Sequence, residues 1–114
     1  MRFHNYYVYI TTNSAKDVLY IGVTNNLEQR LTEHYLNKGK WKTFGGRYFC
    51  HNLLYYERYT QIKIALQRER QLKGWTRKKK EWLIKTENPM LYFLNRDIMK
   101  WPPDENSCSR EPSA

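Results

Sequence analysis

The sequence has few cysteines, few acidic residues and no long apolar segment, and each shortage argues against a class of protein. Cys50 and Cys108 are the two cysteines among 114 residues, and neither has a second cysteine or a histidine at the short spacings of zinc sites. A structural zinc site and a disulfide are therefore not expected. No stretch has the length and apolarity of a membrane span or signal peptide. We expect a cytoplasmic protein that does not enter a membrane.

Basic residues clearly outnumber acidic ones. The chain has 20 Lys and Arg against 11 Asp and Glu, which gives a net charge of +9. A basic surface attracts polyanions because binding releases their counterions. The 10 Tyr and 4 Trp could stack on bases, although any single ring is more often part of a core. Nucleic acid is therefore the first partner to consider.

The N-terminal part of the chain has the pattern of a β-hairpin. Residues 6–11 and 18–23 are rich in Tyr, Val, Ile and Leu and flank a polar turn. We predict that Thr12 and Asp17 close the loop. The resulting pairs are Tyr7 with Gly22, Val8 with Ile21, Tyr9 with Tyr20, and Ile10 with Leu19. This register places the aliphatic side chains on one face and the tyrosines on the other.

The remainder of the pattern predicts helices and one further strand. Asn25 or Asn26 can cap a helix that begins at Leu27. The later elements are a strand at 53–59, a helix at about 61–73 capped by Thr60 and ended by a left-handed Gly74, and a helix from Arg77 to about Lys85 capped by Thr76. In the helix at 61–73, Glu69 lies within an apolar stripe, and a buried acid needs a partner. The stripe consists of Ile62, Ala65, Leu66 and Leu72.

These elements predict an α+β fold, in which helices flank a three-stranded antiparallel sheet. The domain is expected at residues 1–95. Residues 96–114 are expected to be a flexible tail, because from Trp101 onward the composition is too poor in apolar residues to order itself.

Basic residues cluster at two places that could contact a phosphate backbone. One is a glycine-rich basic loop before the third strand, and the other is the end of the second helix together with the start of the third. The predicted nucleic-acid contacts are Arg47, Lys73, Arg77, Lys78, Lys79 and Lys80. A solvated helix face is the alternative for the run at 77–80, and a role in anchoring the loop is the alternative for Arg47.

Two half-motifs, Tyr7-Val8-Tyr9 and Tyr20-Ile21-Gly22, resemble those of the GIY-YIG nuclease superfamily. That superfamily includes the N-terminal nuclease domain found in the bacterial ABC excinuclease. The family's downstream arginine, histidine and acid match Arg30, His34 and Glu69. The resemblance covers about residues 6–94 and is closest to small stand-alone bacterial members. It implies the GIY-YIG endonuclease fold. Position 7 departs from the motif, because it is tyrosine where the motif has glycine.

The resemblance implies a metal-dependent endonuclease that hydrolyses DNA, selective for DNA structure and linked to repair or recombination. Glu69 would bind one Mg²⁺ or Mn²⁺ ion, and Arg30 would contact the scissile phosphate. Tyr9 would be the general base or orient the water, while Tyr20 and His34 would position phosphate or assist proton transfer. As a base, Tyr9 needs a nearby cation to lower its pKa. Some members also use a late asparagine, for which Asn88 and Asn95 are both candidates.

Each of these residues also has a structural alternative. Tyr9 and Tyr20 could be an ordinary cross-strand pair, Arg30 and His34 surface residues, and Glu69 the partner of a structural salt bridge. The rival function is a nucleic-acid-binding module without turnover, associated with DNA, RNA or the ribosome, although DNA is favoured over RNA. An adaptor that binds only protein is a third alternative. Strong sequence specificity would require a protein partner, since so short a chain leaves little room for a recognition domain.

Overall fold

Three antiparallel strands form one sheet in the order β2-β1-β3. The structure is a computed structural model that describes residues 4–38 and 49–103. The elements are β1 (Tyr6–Thr12), β2 (Leu19–Thr24), α1 (Leu27–Leu36), β3 (Asn52–Tyr59), α2 (Ile62–Lys73), α3 (Arg77–Glu87) and the short α4 (Asn95–Ile98). The predicted α+β architecture is confirmed. Within the described residues, no helix has both the length and the apolarity needed to cross a bilayer.

The predicted register of the hairpin was wrong by two positions. The observed pairs include Tyr9 with Gly22, Ile10 with Ile21, and Thr11 with Tyr20. Asn13 explains the difference, because its Oδ1 accepts the backbone N–H groups of Asp17 at 3.0 Å and Val18 at 3.2 Å. The loop is therefore longer than predicted. Side chains alternate along a strand with period two, so a shift of two positions leaves each one on its predicted face.

The aliphatic face of the sheet carries the larger core. Side chains of all three strands pack there against α2 and α3. The buried members of this core are Val8, Ile10, Ile21, Leu54, Tyr55, Ala65, Leu72, Leu83 and Ile84. Apolar burial of this kind stabilises the fold by roughly 25 cal/mol for each Å² removed from water. This face therefore holds α2 against the sheet, and α2 carries Glu69.

The tyrosine face packs against α1 and the C-terminal segment. Its buried core consists of Tyr9, Leu27, Leu31 and Leu53. Ile98, Met99 and Trp101 pack against this core. The described fold therefore continues past the predicted boundary at residue 95, because these apolar side chains cover α1. The domain boundary and the flexible tail stay predictions. The rest of the predicted tail lies outside the described residues.

The helix ends follow the predicted capping in two of three cases. Asn26 Oδ1 accepts the N–H of Gln29 at 3.0 Å, and Thr76 Oγ1 accepts that of Lys79 at 3.2 Å. Thr60 was wrong as a cap, because α2 has Gln61 at its N-cap position without a side-chain hydrogen bond. Gly74 does follow α2, but its φ of −85° is right-handed rather than left-handed.

The predicted stripe of α2 is only half buried. Ala65 and Leu72 are fully enclosed in the core, whereas Ile62 and Leu66 are 43% and 41% exposed. Among the described residues, the side of α2 that carries Ile62 and Leu66 has no further strand to pack against, because β2 is the edge strand of the sheet. The two exposed side chains instead border the cavity described next.

Candidate active site

Tyr9 lies at the centre of the tyrosine face, directly opposite Gly22. Its ring is fully buried and covers the backbone of Gly22. A Cβ atom at position 22 would lie 2.5 Å from the Tyr9 hydroxyl oxygen and 2.7 Å from its Cζ. Real Cβ atoms do not approach other atoms so closely, so a side chain at position 22 would displace the ring. The glycine of the Tyr-Ile-Gly half-motif is thus explained by the phenol of the other half-motif.

Helix α1 brings His34 to the two tyrosines. The Nε2 atom of His34 lies 3.0 Å from the Tyr9 hydroxyl oxygen in a buried hydrogen bond. The ring centroids of His34 and Tyr20 are 5.0 Å apart, and those of Tyr9 and Tyr20 are 6.1 Å apart. The rings meet at tilted or edge-on angles, as aromatic pairs prefer. The predicted tyrosine pair is thus a cluster of three rings, and its tyrosines lie diagonally across the strands.

Burial keeps both hydrogen-bonded groups of this cluster neutral. Burial raises the pKa of Tyr9 well above the ordinary value of 10.0, and Tyr20 raises it further. Burial also lowers the pKa of His34 from 6.5 to about 4, and the nearby charge of Arg30 adds to this effect. Both shifts have the same origin, since an enclosed site disfavours whichever form is charged. At neutral pH the pair is therefore a phenol and a neutral imidazole.

A cavity of about 500 Å³ joins this cluster to α1 and α2. Of the predicted catalytic residues, Tyr9, Tyr20, Arg30 and Glu69 line it. His34 lies behind Tyr9 and reaches the cavity through that phenol. The side chain of Arg30 is 39% exposed, and its Nε lies 3.5 Å from Oε1 of Glu33. The structure thus brings the five predicted residues into one neighbourhood.

The side chain of Glu69 is 21% exposed, and its Oε2 lies 3.1 Å from Nζ of Lys73. It contributes one carboxylate to the cavity that Tyr9 and Tyr20 also line. Among the described residues, no three of the types His, Cys, Asp and Glu come together as metal ligands. A site with one carboxylate suits Mg²⁺, which keeps several of its waters and binds proteins through one or two carboxylates. Glu69 therefore fits the predicted single ion, whose other ligands would have to come from water and substrate.

An unpredicted ion-pair network holds the helix that bears Glu69. Arg68 donates to both oxygens of Glu57 on β3, with each distance 2.9 Å. The hydroxyls of Tyr55 and Tyr59 donate to the same carboxylate at 2.6 and 2.7 Å. Burial alone would raise the pKa of Glu57, but these hydrogen bonds outweigh it and hold that pKa below its usual value. The network fixes the rotation of α2 next to Glu69.

The sequence does contain a signal for this network. Tyr55, Glu57 and Tyr59 alternate along β3, so they share a face, and that face is the aliphatic one. An acid in the middle of such a row requires a cation, and Arg68 precedes the predicted metal ligand.

The two candidate asparagines bind backbone away from the cavity. Asn88 donates its amide to the carbonyls of Leu54 at 3.0 Å and Tyr92 at 2.9 Å. Asn95 accepts the N–H of Leu53 at 2.7 Å and donates to the carbonyl of His51 at 2.8 Å. Both are buried, and neither lines the cavity of the tyrosines. Their observed role is to attach the C-terminal segment to β3.

The predicted phosphate contacts have different surroundings. Arg77 donates to the carbonyls of Asp17 at 2.7 Å and Lys16 at 2.8 Å, and it also pairs with Glu81. Lys79 lies over the ring of Trp75, and Lys80 borders a small cavity with Lys73. Lys78 is exposed. Arg47 lies outside the described residues. All six therefore stay predictions as nucleic-acid contacts, and Arg77 is already engaged within the protein.

Comparison with known proteins gives a consistent family. The GIY-YIG catalytic domain model matches residues 5–82. A UPF0213 protein of Bacillus pumilus is 39% identical over 84 residues, which cover 74% of this chain and 83% of the relative. A UPF0213 protein of Natronomonas pharaonis is 36% identical, over 73% of this chain and 94% of the relative.

The solution NMR structure of a UPF0213 protein from Bacillus halodurans has a TM-score of 0.50 and 25% identity. The match covers 84% of this chain and 99% of that one. GIY-YIG domains act on nucleic acid and generally use a divalent metal. Because the domain model matches residues 5–82 and the tyrosine cluster packs on the glycine of its second half-motif, this chain belongs to the GIY-YIG nuclease family.

Proposed function

We propose that the protein is an endonuclease that hydrolyses DNA phosphodiester bonds with one Mg²⁺ or Mn²⁺ ion. One observation carries the proposal. Side chains from the hairpin, α1 and α2 line a common cavity of about 500 Å³, and they are Tyr9, Tyr20, Arg30 and Glu69. One cavity is thus lined by an arginine that could bind phosphate, a carboxylate that could bind the metal ion and two phenols that could orient water. We place this activity in the cytoplasm, on branched or single-stranded DNA of repair or recombination.

Arg30 is proposed to bind the scissile phosphate. Its guanidinium presents a rigid fork of donors that matches two phosphate oxygens. The Nε atom of Arg30 lies 3.5 Å from Oε1 of Glu33, and the Arg30 side chain is 39% exposed. The arginine is therefore accessible to substrate, and an ion pair with a carboxylate that is itself 43% exposed leaves it able to turn towards a phosphate.

Glu69 is proposed to hold the metal ion. When bound, Mg²⁺ or Mn²⁺ supplies positive charge to the phosphoryl oxygens and eases the loss of a proton from water. Lys73, whose Nζ lies 3.1 Å from the carboxylate, would then lose its partner. Its side chain is 57% exposed, so the ammonium can turn towards the DNA backbone. This exchange would combine the predicted roles of Glu69 and Lys73.

Tyr9 is proposed to orient the attacking water as a neutral phenol. Burial raises the pKa of Tyr9 and lowers that of His34 to about 4, so the phenol keeps its proton and the imidazole stays neutral. Neutral His34 therefore serves to fix the Tyr9 hydroxyl. Tyr20 completes the wall of the cavity and is the phenol that is closer to solvent.

The proposal is tested by cleavage of supercoiled plasmid, a branched duplex and a single strand, each with Mn²⁺ and with chelator. Glu69→Gln is expected to abolish cleavage and to remove the Mn²⁺-dependent rise in melting temperature. Glu87→Gln, which changes an exposed carboxylate on α3, is the matched control and should affect neither. Cleavage that survives Glu69→Gln would overturn the assigned site. Tight binding of all three DNAs without cutting in any metal would instead favour a binding module.

A further inference from the structure

A second and larger groove lies on the tyrosine face, next to the cavity just described. Its volume is about 790 Å³, within the range of sites that enclose small organic groups. Asn25 lines both this groove and the catalytic cavity. The two are therefore adjacent, and a strand whose phosphate lies at Arg30 would have the groove within reach.

The groove contains an aromatic pair that can stack on a base. Tyr7 and Tyr56 meet nearly edge to face, with ring centroids 6.0 Å apart and planes at 66°. Tyr56 is 39% exposed, whereas Tyr7 is partly buried against the core of the tyrosine face. Tyr7 is also the residue at which this chain has tyrosine in place of the motif's glycine. The platform is thus built partly from a side chain that the motif lacks.

The charges of the groove favour a base over a phosphate. Two carboxylates, those of Glu28 and Asp97, line it and would repel a phosphate. Carboxylates accept hydrogen bonds from exocyclic amino groups, as on cytosine N4. Arg58 also lines the groove, where its Nη1 donates to Asn5 Oδ1 at 2.6 Å, so a cation lies at the groove beside the two carboxylates.

We propose that this groove binds an unpaired nucleobase of the DNA strand that is cut. The proposal rests on the proposed function for the identity of the strand. A base in a duplex has both faces stacked and its pairing edge occupied, so it cannot lie on Tyr56 and reach the carboxylates together. The groove therefore selects single-stranded DNA or unpaired junctions, and it favours bases that carry an amino group.

Binding is measured by fluorescence anisotropy with labelled oligo-dC, oligo-dT and a duplex, in chelator so that no cutting occurs. Tyr56→Ala is expected to weaken oligo-dC binding about tenfold, a typical loss for one base-stacking contact, while its salt dependence stays unchanged. Tyr56→Phe keeps the ring and should bind within about twofold of the parent. The parent should bind oligo-dC more tightly than oligo-dT or duplex.

The base site would be overturned if Tyr56→Ala and Tyr56→Phe weakened oligo-dC binding equally, or if Tyr56→Ala left that binding unchanged. Equal binding of duplex and single strand, or no binding of single strands, would also overturn it. Melting temperatures of both variants show whether any loss follows from unfolding. Because binding is measured without cleavage, a Tyr56-dependent preference for oligo-dC in a protein that never cuts would keep this site and reject the nuclease. Cleavage of DNA by a protein whose binding does not depend on Tyr56 would keep the nuclease and reject this base site.

Discussion

Gly22→Ala is expected to be among the most damaging single-methyl additions in this protein. The new Cβ would lie 2.5, 2.7 and 3.1 Å from the hydroxyl oxygen, Cζ and Cε2 of Tyr9. That ring is fully buried and hydrogen-bonded to His34, so it cannot swing away as an exposed side chain would. Overpacking costs about 1–3 kcal/mol and a lost hydrogen bond about 1 kcal/mol more. We therefore expect Gly22→Ala to lower the free energy of unfolding by about 2–4 kcal/mol.

The loss is measured by urea unfolding, and at about 4–8 °C per kcal/mol the melting temperature should fall by more than about 8 °C. Gly74→Ala is the matched control, because its nearest neighbour would be the Gln71 carbonyl oxygen at 3.6 Å and its φ is −85°. That variant should be neutral or slightly stabilising. Tyr9→Phe in the Gly22→Ala background removes the 2.5 Å contact and should recover part of the stability. Equal stabilities of Gly22→Ala and Gly74→Ala would refute the reasoning.

Three further predictions concern stability and its link to cleavage. Glu57→Gln leaves Arg68 without its carboxylate and should lower the free energy of unfolding in urea by about 2–4 kcal/mol. At temperatures where the variant stays folded, it should raise the Mn²⁺ concentration needed for half-maximal cleavage. An unchanged metal requirement would argue that the Glu57 network does not position Glu69. The pKa of His34 is about 4 in the folded protein and 6.5 in the unfolded chain, so acid protonates the unfolded state first. The contribution of neutral His34 to the free energy of unfolding is therefore complete above pH 6.5 and falls by up to about 3 kcal/mol towards pH 4. His34→Gln should flatten that slope, and a parallel pH profile would contradict the assignment. Asn95→Ala unpairs buried backbone groups at Leu53 and His51 and should lower the free energy of unfolding by about 2–4 kcal/mol. Cleavage per folded molecule should stay unchanged, whereas a selective loss of cleavage would place Asn95 in the site.

The sorting of side chains between the two faces of the hairpin was predictable, but the pairing was not. Faces depend only on whether a residue is odd or even along the strand, so they survive an error of two positions. The pairing depends on loop length, which here is set by the side-chain hydrogen bonds of Asn13. Local sequence contains that asparagine but does not reveal that it would bond to Asp17 and Val18.

Much of the candidate site was predictable because its residues occur in a known order and spacing. The neighbourhood of Tyr9, Arg30 and Glu69 follows that order. The neutral state of His34 was not predictable, since it depends on burial between α1 and the sheet. Nor was the use of Arg77 to bind the hairpin loop, because residues sixty positions apart meet only in the folded chain.

Helix α2 carries two adjacent side chains with different partners. Arg68 binds Glu57 on β3, while Glu69 lines the cavity that Tyr9 and Tyr20 share. One inserted residue turns the rest of a helix by about 100°, given 3.6 residues per turn. An insertion between Ala65 and Arg68 would therefore move both side chains off their partners at once, and no single substitution could restore the two together. Across related proteins, insertions and deletions should consequently be rare within Ile62–Lys73.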